Sequence, residues 1–414
     1  MEAIKFTVVV PTRERCDVLK STLKTVLAQD YENLEIIVSD NFSADDTREH
    51  VLGLDDTRVR YVNPGRRLSM SHHWEFALDS IGSKGWLTIL GDDDGLLPNA
   101  LHEVSDLIAT HSVEAIRSMT CGYKWPTNAN GNLGELEVPL RRGVEVRDST
   151  IWLKKVLDGR APYTELPILY SGGFVSIAMI RKLRLLTNTV YRSCIPDVYS
   201  AVALSKITSE YLYSFRPFAI NGASKHSTGT SQFRVPAASS KSNVKVDGDT
   251  PANKFLSEDN IPFHSDIPMG PSGEYPKSLH AMIYESHLQS LDLGRGFPER
   301  VHSRQLAVAL KRAGRHREDV EIWGRRFAGL HGLNYEVIRK SVRNRQVFQF
   351  IRQLPSEISL IFFSCRVRSP VLPMRDVFEA SVVSAAILET RPGFLRRTLR
   401  NIKNRYNSLR TRAI

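Results

Sequence analysis

The chain has 414 residues, 42% hydrophobic and 24% charged, with a formal net charge of +11. That is enough chain for one large domain and a smaller one, and the balance is that of a globular protein rather than a disordered or fibrous one. No apolar run approaches the roughly 18 residues of a membrane span, and four scattered cysteines make neither a disulfide framework nor a zinc site of close pairs.

The N-terminus enters a strand-like run almost at once, leaving no room for a signal peptide, so the cytoplasm is the expected location. The apolar runs 6–11 (FTVVVP) and 34–40 (LEIIVSD) read as fully buried parallel strands. Between them Val18, Leu19, Leu23, Val26 and Leu27 fall at helical spacing, which makes 1–40 a strand-helix-strand unit. A short helix (TREHVLGL), a strand at 58–62, a helix closed by Gly82 and a strand at 85–90 follow. This alternation predicts a doubly wound α/β domain. Beyond it come a helix (NALHEVSDLIATH), a strand (EAIRSMTCGYKW), a polar hairpin or loop at 127–150, and a helix opening at Asp197. Residues 222–280 are rich in Ser, Gly, Pro and Asn and read as loop and linker. From about 278 the pattern is helical and basic.

In an open parallel sheet, ligands bind beyond the carboxyl ends of the strands. Three strand ends deliver polar residues there: Pro11-Thr12-Arg13, Ser39-Asp40-Asn41 and Asp92-Asp93-Asp94. No glycine-rich G-x-G-x-x-G turn follows the first strand, which disfavours a dinucleotide fold. Two carboxylates about 4 Å apart repel by roughly 4 kcal/mol at an effective dielectric of about 20. The aspartate triplet therefore needs water, hydrogen-bond donors or a cation. A hard divalent ion shared with phosphate oxygens is one answer, an exposed Asp-Gly turn the other. Arg66 and Arg67 either reach phosphate or are solvated loop residues.

The segments VVVPTRER, IIVSDNFSADDT and LGDDDGLLPNAL, in this order and spacing, closely resemble the N-terminal half of the inverting family-2 glycosyltransferases. The resemblance covers roughly residues 5–230. It implies a GT-A fold, a doubly wound, Rossmann-like mixed sheet, followed here by a mostly helical C-terminal region. It implies transfer of a sugar from a nucleoside diphosphate donor to an acceptor hydroxyl with inversion, assisted by Mn2+ or Mg2+. The acceptor would be a glycan or lipid-linked oligosaccharide, as in cell-surface polysaccharide synthesis.

The same resemblance assigns nucleotide binding to Pro11, Thr12, Arg13 and Asp40, with Arg66 and Arg67 available to phosphate and Asp92 and Asp93 beside them. The metal would fall to Asp93 and Asp94. Aligned through Pro98, the first aspartate of the family motif lands on Gly91, whereas reading the triplet itself as the motif pairs Asp92 with Asp94. Asp197 matches the general base, which must take the acceptor proton as the hydroxyl attacks. Its other reading is a helix cap. His226, in a loop resembling one that closes over the donor, would add a neutral imidazole to the metal.

The charge is uneven. Residues 1–290 carry 31 basic and 35 acidic side chains, and 291–414 carry 25 and 10. Within that tail Leu395, Leu399, Ile402, Tyr406 and Leu409 share a helical face flanked by Arg and Lys, which suits either an anionic bilayer at the inner membrane face or the protein's own core. No nucleic acid is expected. The predicted domains are a transferase domain at 1–235, a flexible linker at 236–280 and a basic helical region at 281–414. Two other classes fit the motifs: an inactive nucleotide-binding scaffold of the same fold, and a nucleotidyltransferase. The latter would normally carry a glycine-rich N-terminal loop, which this chain lacks.

Overall fold

The computed structural model describes residues 4–126, 134–226, 259–270, 273, 275–294, 296–342, 363–368 and 374–390. Strand β1 (Phe6–Thr12) lies at the centre of a sheet of eleven strands and pairs in parallel with β2 (Leu34–Asp40) on one side and β4 (Trp86–Ile89) on the other. β3 (Val59–Val62) extends the β2 side. Helices α1 (Cys16–Leu27), α2 (Thr47–Leu52) and α3 (Met70–Asp79) connect these strands. Alternation along β1 shows why it reads as one apolar run: Val8 and Val10 face a core containing Leu19 and Leu23, while Val9 faces one containing Trp74 and Leu78. Because β1 pairs on both edges, the loops leaving β1 and β4 diverge at a switch point on the carboxyl edge, the place where sheets of this kind bind ligands in a crevice.

The second half is mixed, as the expected fold class requires. β5 (Gly95–Leu96), α4 (Ala100–Thr110), β6 (Ala115–Lys124), β7 (Glu135–Pro139), β8 (Val144–Asp148) and α5 (Ser149–Leu157) lead to β9 (Gly173–Ser176), which inserts antiparallel between β4 and β6. After α6 (Ile177–Thr187) and α7 (Pro196–Ile207), the 14-residue β10 (Glu210–Ala223) runs parallel to β6, with a register shift between Ser214 and Ala219. The stretch expected to be loop from 222 therefore begins inside a strand. Its central part, 227–258, lies outside the described residues.

Helices α8 (Leu279–Leu288), α9 (Glu299–Lys311) and α10 (Arg317–Leu330) build a separate core around Tyr284, Leu306, Trp323 and Phe327. They dock through polar contacts: Gln305 Nε2 donates to Leu157 O at 2.7 Å, Lys206 Nζ to Ser290 O at 2.7 Å, and Arg304 pairs with Asp158. The basic region does not stay helical, because β11 (Ser364–Arg368) pairs antiparallel with β7 at the sheet edge. Helix α11 (Val377–Thr390) then packs on α1, where Ser21 Oγ donates to Asp376 Oδ2 at 3.0 Å. The expected unit 281–414 is thus divided between a helical subdomain and the transferase-like sheet. The four cysteines are buried and form no disulfide. No helix among the described residues is long and apolar enough to cross a membrane, and the amphipathic stretch 394–410 lies outside them.

Phe6 is fully buried, edge-on to Tyr31 at 5.1 Å and to Phe174 at 6.1 Å. Phe6→Ala is expected to cost roughly 3–5 kcal/mol of stability, read as a lower urea midpoint at unchanged slope.

Candidate active site

The three aspartates after β4 are buried and each is satisfied differently. Asp92 accepts from Thr12 Oγ1 at 2.9 Å and from Arg15 Nη1 at 3.0 Å. Burial raises its pKa, and the Arg15 charge pulls the other way. Asp93 Oδ2 accepts from Ser224 Oγ at 2.6 Å, and its backbone carbonyl accepts from Trp125 Nε1 at 3.0 Å. Asp94 is turned inward. Its Oδ1 accepts from Gly222 N–H at 2.7 Å and its Oδ2 from Gly91 N–H at 3.2 Å and from the Ser171 hydroxyl. Burial, then the Asp93 charge, push its pKa up to about 7. Thr22 Oγ1 bonds the carbonyls of Asp92 and Asp94 at 2.8 and 2.7 Å, fixing the backbone turn from α1.

Two glycines make this packing possible. A Cβ on Gly91 would lie 2.4 Å from Tyr170 Oη and 2.7 Å from Asp94 Oδ2. The register that lands the family's first aspartate on Gly91 therefore falls where no side chain fits unless its neighbours shift. A Cβ on Gly222 would lie 1.8 Å from Asp93 O, so β10 can pass the triplet only as glycine.

Asp197 sits in the first turn of α7, whose first residue is Pro196, a residue preorganised for that position. Tyr163 Oη donates to its Oδ2 at 3.4 Å. Burial lifts its pKa to about 6, against backbone hydrogen bonds at the helix start, the Tyr163 bond and the charge of Arg117. Tyr170 is stacked on Trp74 at 5.6 Å, and burial, then the charges of Asp94, Asp93 and Asp197, push its pKa well up.

Around this crevice, Asp40 accepts from Tyr61 Oη at 2.6 Å and from Ser43 N–H at 3.1 Å. His73, its pKa driven down to about 3 by burial, meets Ser39 Oγ at 2.9 Å. Residues 7–142 match the family model described as Glycosyl transferase family 2. That segment is a family-2 glycosyltransferase domain. The chain is also 39% identical over 100 residues to the GalNAc(5)-diNAcBac-PP-undecaprenol beta-1,3-glucosyltransferase of Campylobacter jejuni subsp. jejuni serotype O:2. This match covers 23% of the present chain and 32% of that protein, about a third of its length. Among solved structures, S. aureus TarS 1–349 in complex with UDP-GlcNAc has a TM-score of 0.45 at 14% identity, covering 80% of this chain and 93% of that one. The UDP complex of the same protein gives 0.45 at 13% identity, covering 82% and 92%.

Within and around the family-2 segment, Thr12 and Asp92 meet directly, and Asp93 and Asp94 are adjacent but face different donors. Arg67 pairs with Glu14 on the exposed rim, and Arg66 is exposed. His226 is not gathered with the aspartates: its Nε2 meets Asp17 Oδ2 at 3.1 Å, and its carbonyl accepts from Arg15 Nη2 at 2.5 Å. Among the described residues no group of three or more His, Cys, Asp or Glu is poised for a metal ion. The expected trio Asp93, Asp94 and His226 is thus not assembled, because Asp94 spends both oxygens on buried donors and His226 is held by α1. Asp92 and Asp93 retain 4% and 5% exposure and Asp94 none, so an incoming cation meets the first two.

Residues that sequence reasoning missed are Arg15, Thr22, Tyr163, Tyr170, Ser171, Ser224 and Glu285. Arg15 lies two residues past a motif residue, a signal that was available; the others come from distant segments. Glu285, on α8, is fully buried and accepts from Ser193 Oγ at 2.8 Å, which in turn accepts from the Ile195 N–H that precedes α7. Burial raises the Glu285 pKa to about 7. A carboxyl whose folded pKa lies above its unfolded value gives stability that is present at low pH and lost as pH rises through the folded pKa. Relative to the native protein, Glu285→Gln should therefore gain stability between pH 5 and pH 8, on the order of 2 kcal/mol, in urea titrations at the two values.

Proposed function

We propose that the chain is an inverting glycosyltransferase that moves a sugar from a nucleoside diphosphate donor to an acceptor hydroxyl, with Asp197 as general base. The observation that supports this is that β1, β2 and β4 end on one sheet edge, where Thr12 and Arg15 meet Asp92, while Tyr163 meets Asp197 at the start of α7. A carboxylate titrating at about 6 is largely ionised at neutral pH yet basic enough to accept a proton as the acceptor oxygen attacks the anomeric carbon. Tyr163 orients it and stays protonated, since the Asp197 charge and burial both raise its own pKa.

The resemblance gives Asp40 to the base of the nucleotide, but its carboxylate is fully buried with Oδ1 accepting from Ser43 N–H and Oδ2 from Tyr61 Oη, so on this reading it must exchange one of these bonds for a ring or exocyclic N–H. Thr12 and Arg13 border the same pocket, and Arg66 and Arg67 on the rim face the donor's phosphates. Mn2+ or Mg2+, the cofactor implied by the resemblance, would be held by Asp93 with Asp92 rather than by Asp94 and His226, and would offset the charge of the diphosphate leaving group. The Campylobacter relative's name pairs a glucosyl donor with an undecaprenol-linked acceptor, so UDP-glucose and a lipid-linked glycan are the first substrates to offer. The domain assignment follows: 1–235 with the returning segment 364–390 as the transferase domain, and 279–330 as a helical subdomain braced against it.

Calorimetry with UDP, GDP and dTDP, each with manganese and with EDTA, tests the site. One nucleotide should bind, and Asp93→Ala should weaken it at least tenfold. Binding of none of them would refute the transferase reading and leave the triplet as a buried structural turn. Asp197→Asn should keep nucleotide affinity and lower transfer by roughly 10²–10⁴-fold, the scale of a lost general base.

A further inference from the structure

Arg117, on β6, is 6% exposed and touches none of the residues assigned to donor or base. Its Nε donates to Thr164 O at 2.8 Å and its Nη1 to Ser171 O at 2.7 Å. Those carbonyls bound the segment that supplies Tyr163 to Asp197 and Tyr170 and Ser171 to Asp94. The segment closes onto β6 through two glycines. A Cβ on Gly172, at φ +83°, would lie 2.8 Å from Ser118 Oγ and 3.3 Å from Arg117 Nη1. On Gly173 it would lie 1.7 Å from Ile168 O. One side chain therefore fastens both ends of the loop between the triplet and the base.

Both hydrogen-bond partners are neutral carbonyls, and burial lowers the Arg117 pKa against the charge of Glu165 nearby; a buried cation of this kind is costly. The carboxylates that feel it are Asp197 and Glu165. The groups facing Asp197 are Tyr163, Arg117, Tyr170 and Tyr191, together with the N–H groups that open α7; Arg117 is the cation among them.

We propose that Arg117 is a positioning residue for transfer, clamping the 163–172 loop between Asp94 and Asp197 through Thr164 O and Ser171 O. The inference rests on Asp197 being the base. Lysine keeps the charge but cannot span both carbonyls, which needs the planar guanidinium.

The test is a carboxyl-carbon NMR titration of the full-length protein labelled with [13Cγ]aspartate, in which the Asp197 resonance is identified by its loss in Asp197→Asn. The native midpoint is expected near pH 6. In Arg117→Gln it should move up, because the released loop no longer holds Tyr163 on the carboxylate. Arg117→Lys should move it up as well, since an ammonium cannot span both carbonyls, and should release UDP from UDP-glucose, with water as acceptor, roughly tenfold more slowly. An Arg117→Gln protein that melts like the native one and titrates at the native midpoint overturns the proposal. Should that variant not fold, the lysine variant decides: a native midpoint with native turnover overturns the clamp, and a raised midpoint with slowed turnover supports it. The titration needs no substrate, so it reads the clamp even if UDP-glucose is not the donor. Undiminished UDP release by Asp197→Asn would instead remove the base assignment and leave the titration result standing.

Discussion

The structure depends on burying three consecutive carboxylates at the end of a core strand. An uncompensated buried ion costs several kcal/mol, so three of them would rival the whole stability of a typical domain, about 5–15 kcal/mol. The fold meets this by bringing donors from four places: Thr12 from β1, Arg15 from the start of α1, Ser171 from the loop before β9, and Gly222 and Ser224 from the end of β10. Only Arg15 among these supplies charge, and it supplies it to Asp92. Asp94 is matched by neutral donors and by a raised pKa, so near neutrality the triplet carries less than three full charges. Those donors must converge before the strand end can be buried, which couples the crevice to the closure of the sheet.

The same desolvation that is a liability at the triplet becomes useful at α7. Burial raises Asp197, while the helix start, Tyr163 and Arg117 restrain the rise, and the balance leaves it at about 6. Removing the donors from such a site raises the carboxyl further, and removing the burial returns it to an ordinary carboxylate too weak to take a hydroxyl proton efficiently. The aromatic wall of Trp74, Tyr170 and Tyr191 supplies that burial, and the loop held by Arg117 supplies the donor.

How much of this the sequence carried follows from where each interaction lies along the chain. The first hundred residues were legible because β1, β2 and β4 are buried on both faces and read as plain apolar runs between periodic helices. β9 was not, being four residues long and antiparallel in an otherwise parallel neighbourhood. β10 was cut short in the reading because polar Asn221 and two glycines follow its apolar part, although that glycine backbone is what fits past Asp93. β11 is a five-residue strand embedded in a helical, basic stretch. At the site, the aspartate triplet and the position of Asp197 were visible, but the division of labour within the triplet was not. Asp92 is set by a residue 77 positions away, and Asp93 by one 131 positions away. His226 illustrates the converse: its place beside the donor loop was legible, yet local geometry ties its ring to Asp17 on α1.

The helical subdomain bears on the chemistry through a short relay beside an apolar contact in which Met282 of α8 packs with Cys194, Ile195 and Met70. Glu285 holds Ser193, Ser193 accepts from Ile195, and Ile195 caps the helix that begins with Pro196 and Asp197. Ser71 on α3 bonds the Ser193 carbonyl from the opposite side, so this loop is gripped by both parts of the molecule. A carboxyl buried at the subdomain boundary is an expensive means of adhesion, since apolar residues of the same volume would often stabilise the contact as well. What it adds is direction: a hydrogen-bonded serine fixes the loop's register, and with it the orientation of the α7 N-terminus toward the crevice. The subdomain is thereby part of what sets the geometry of Asp197, although it contributes no residue to the crevice itself.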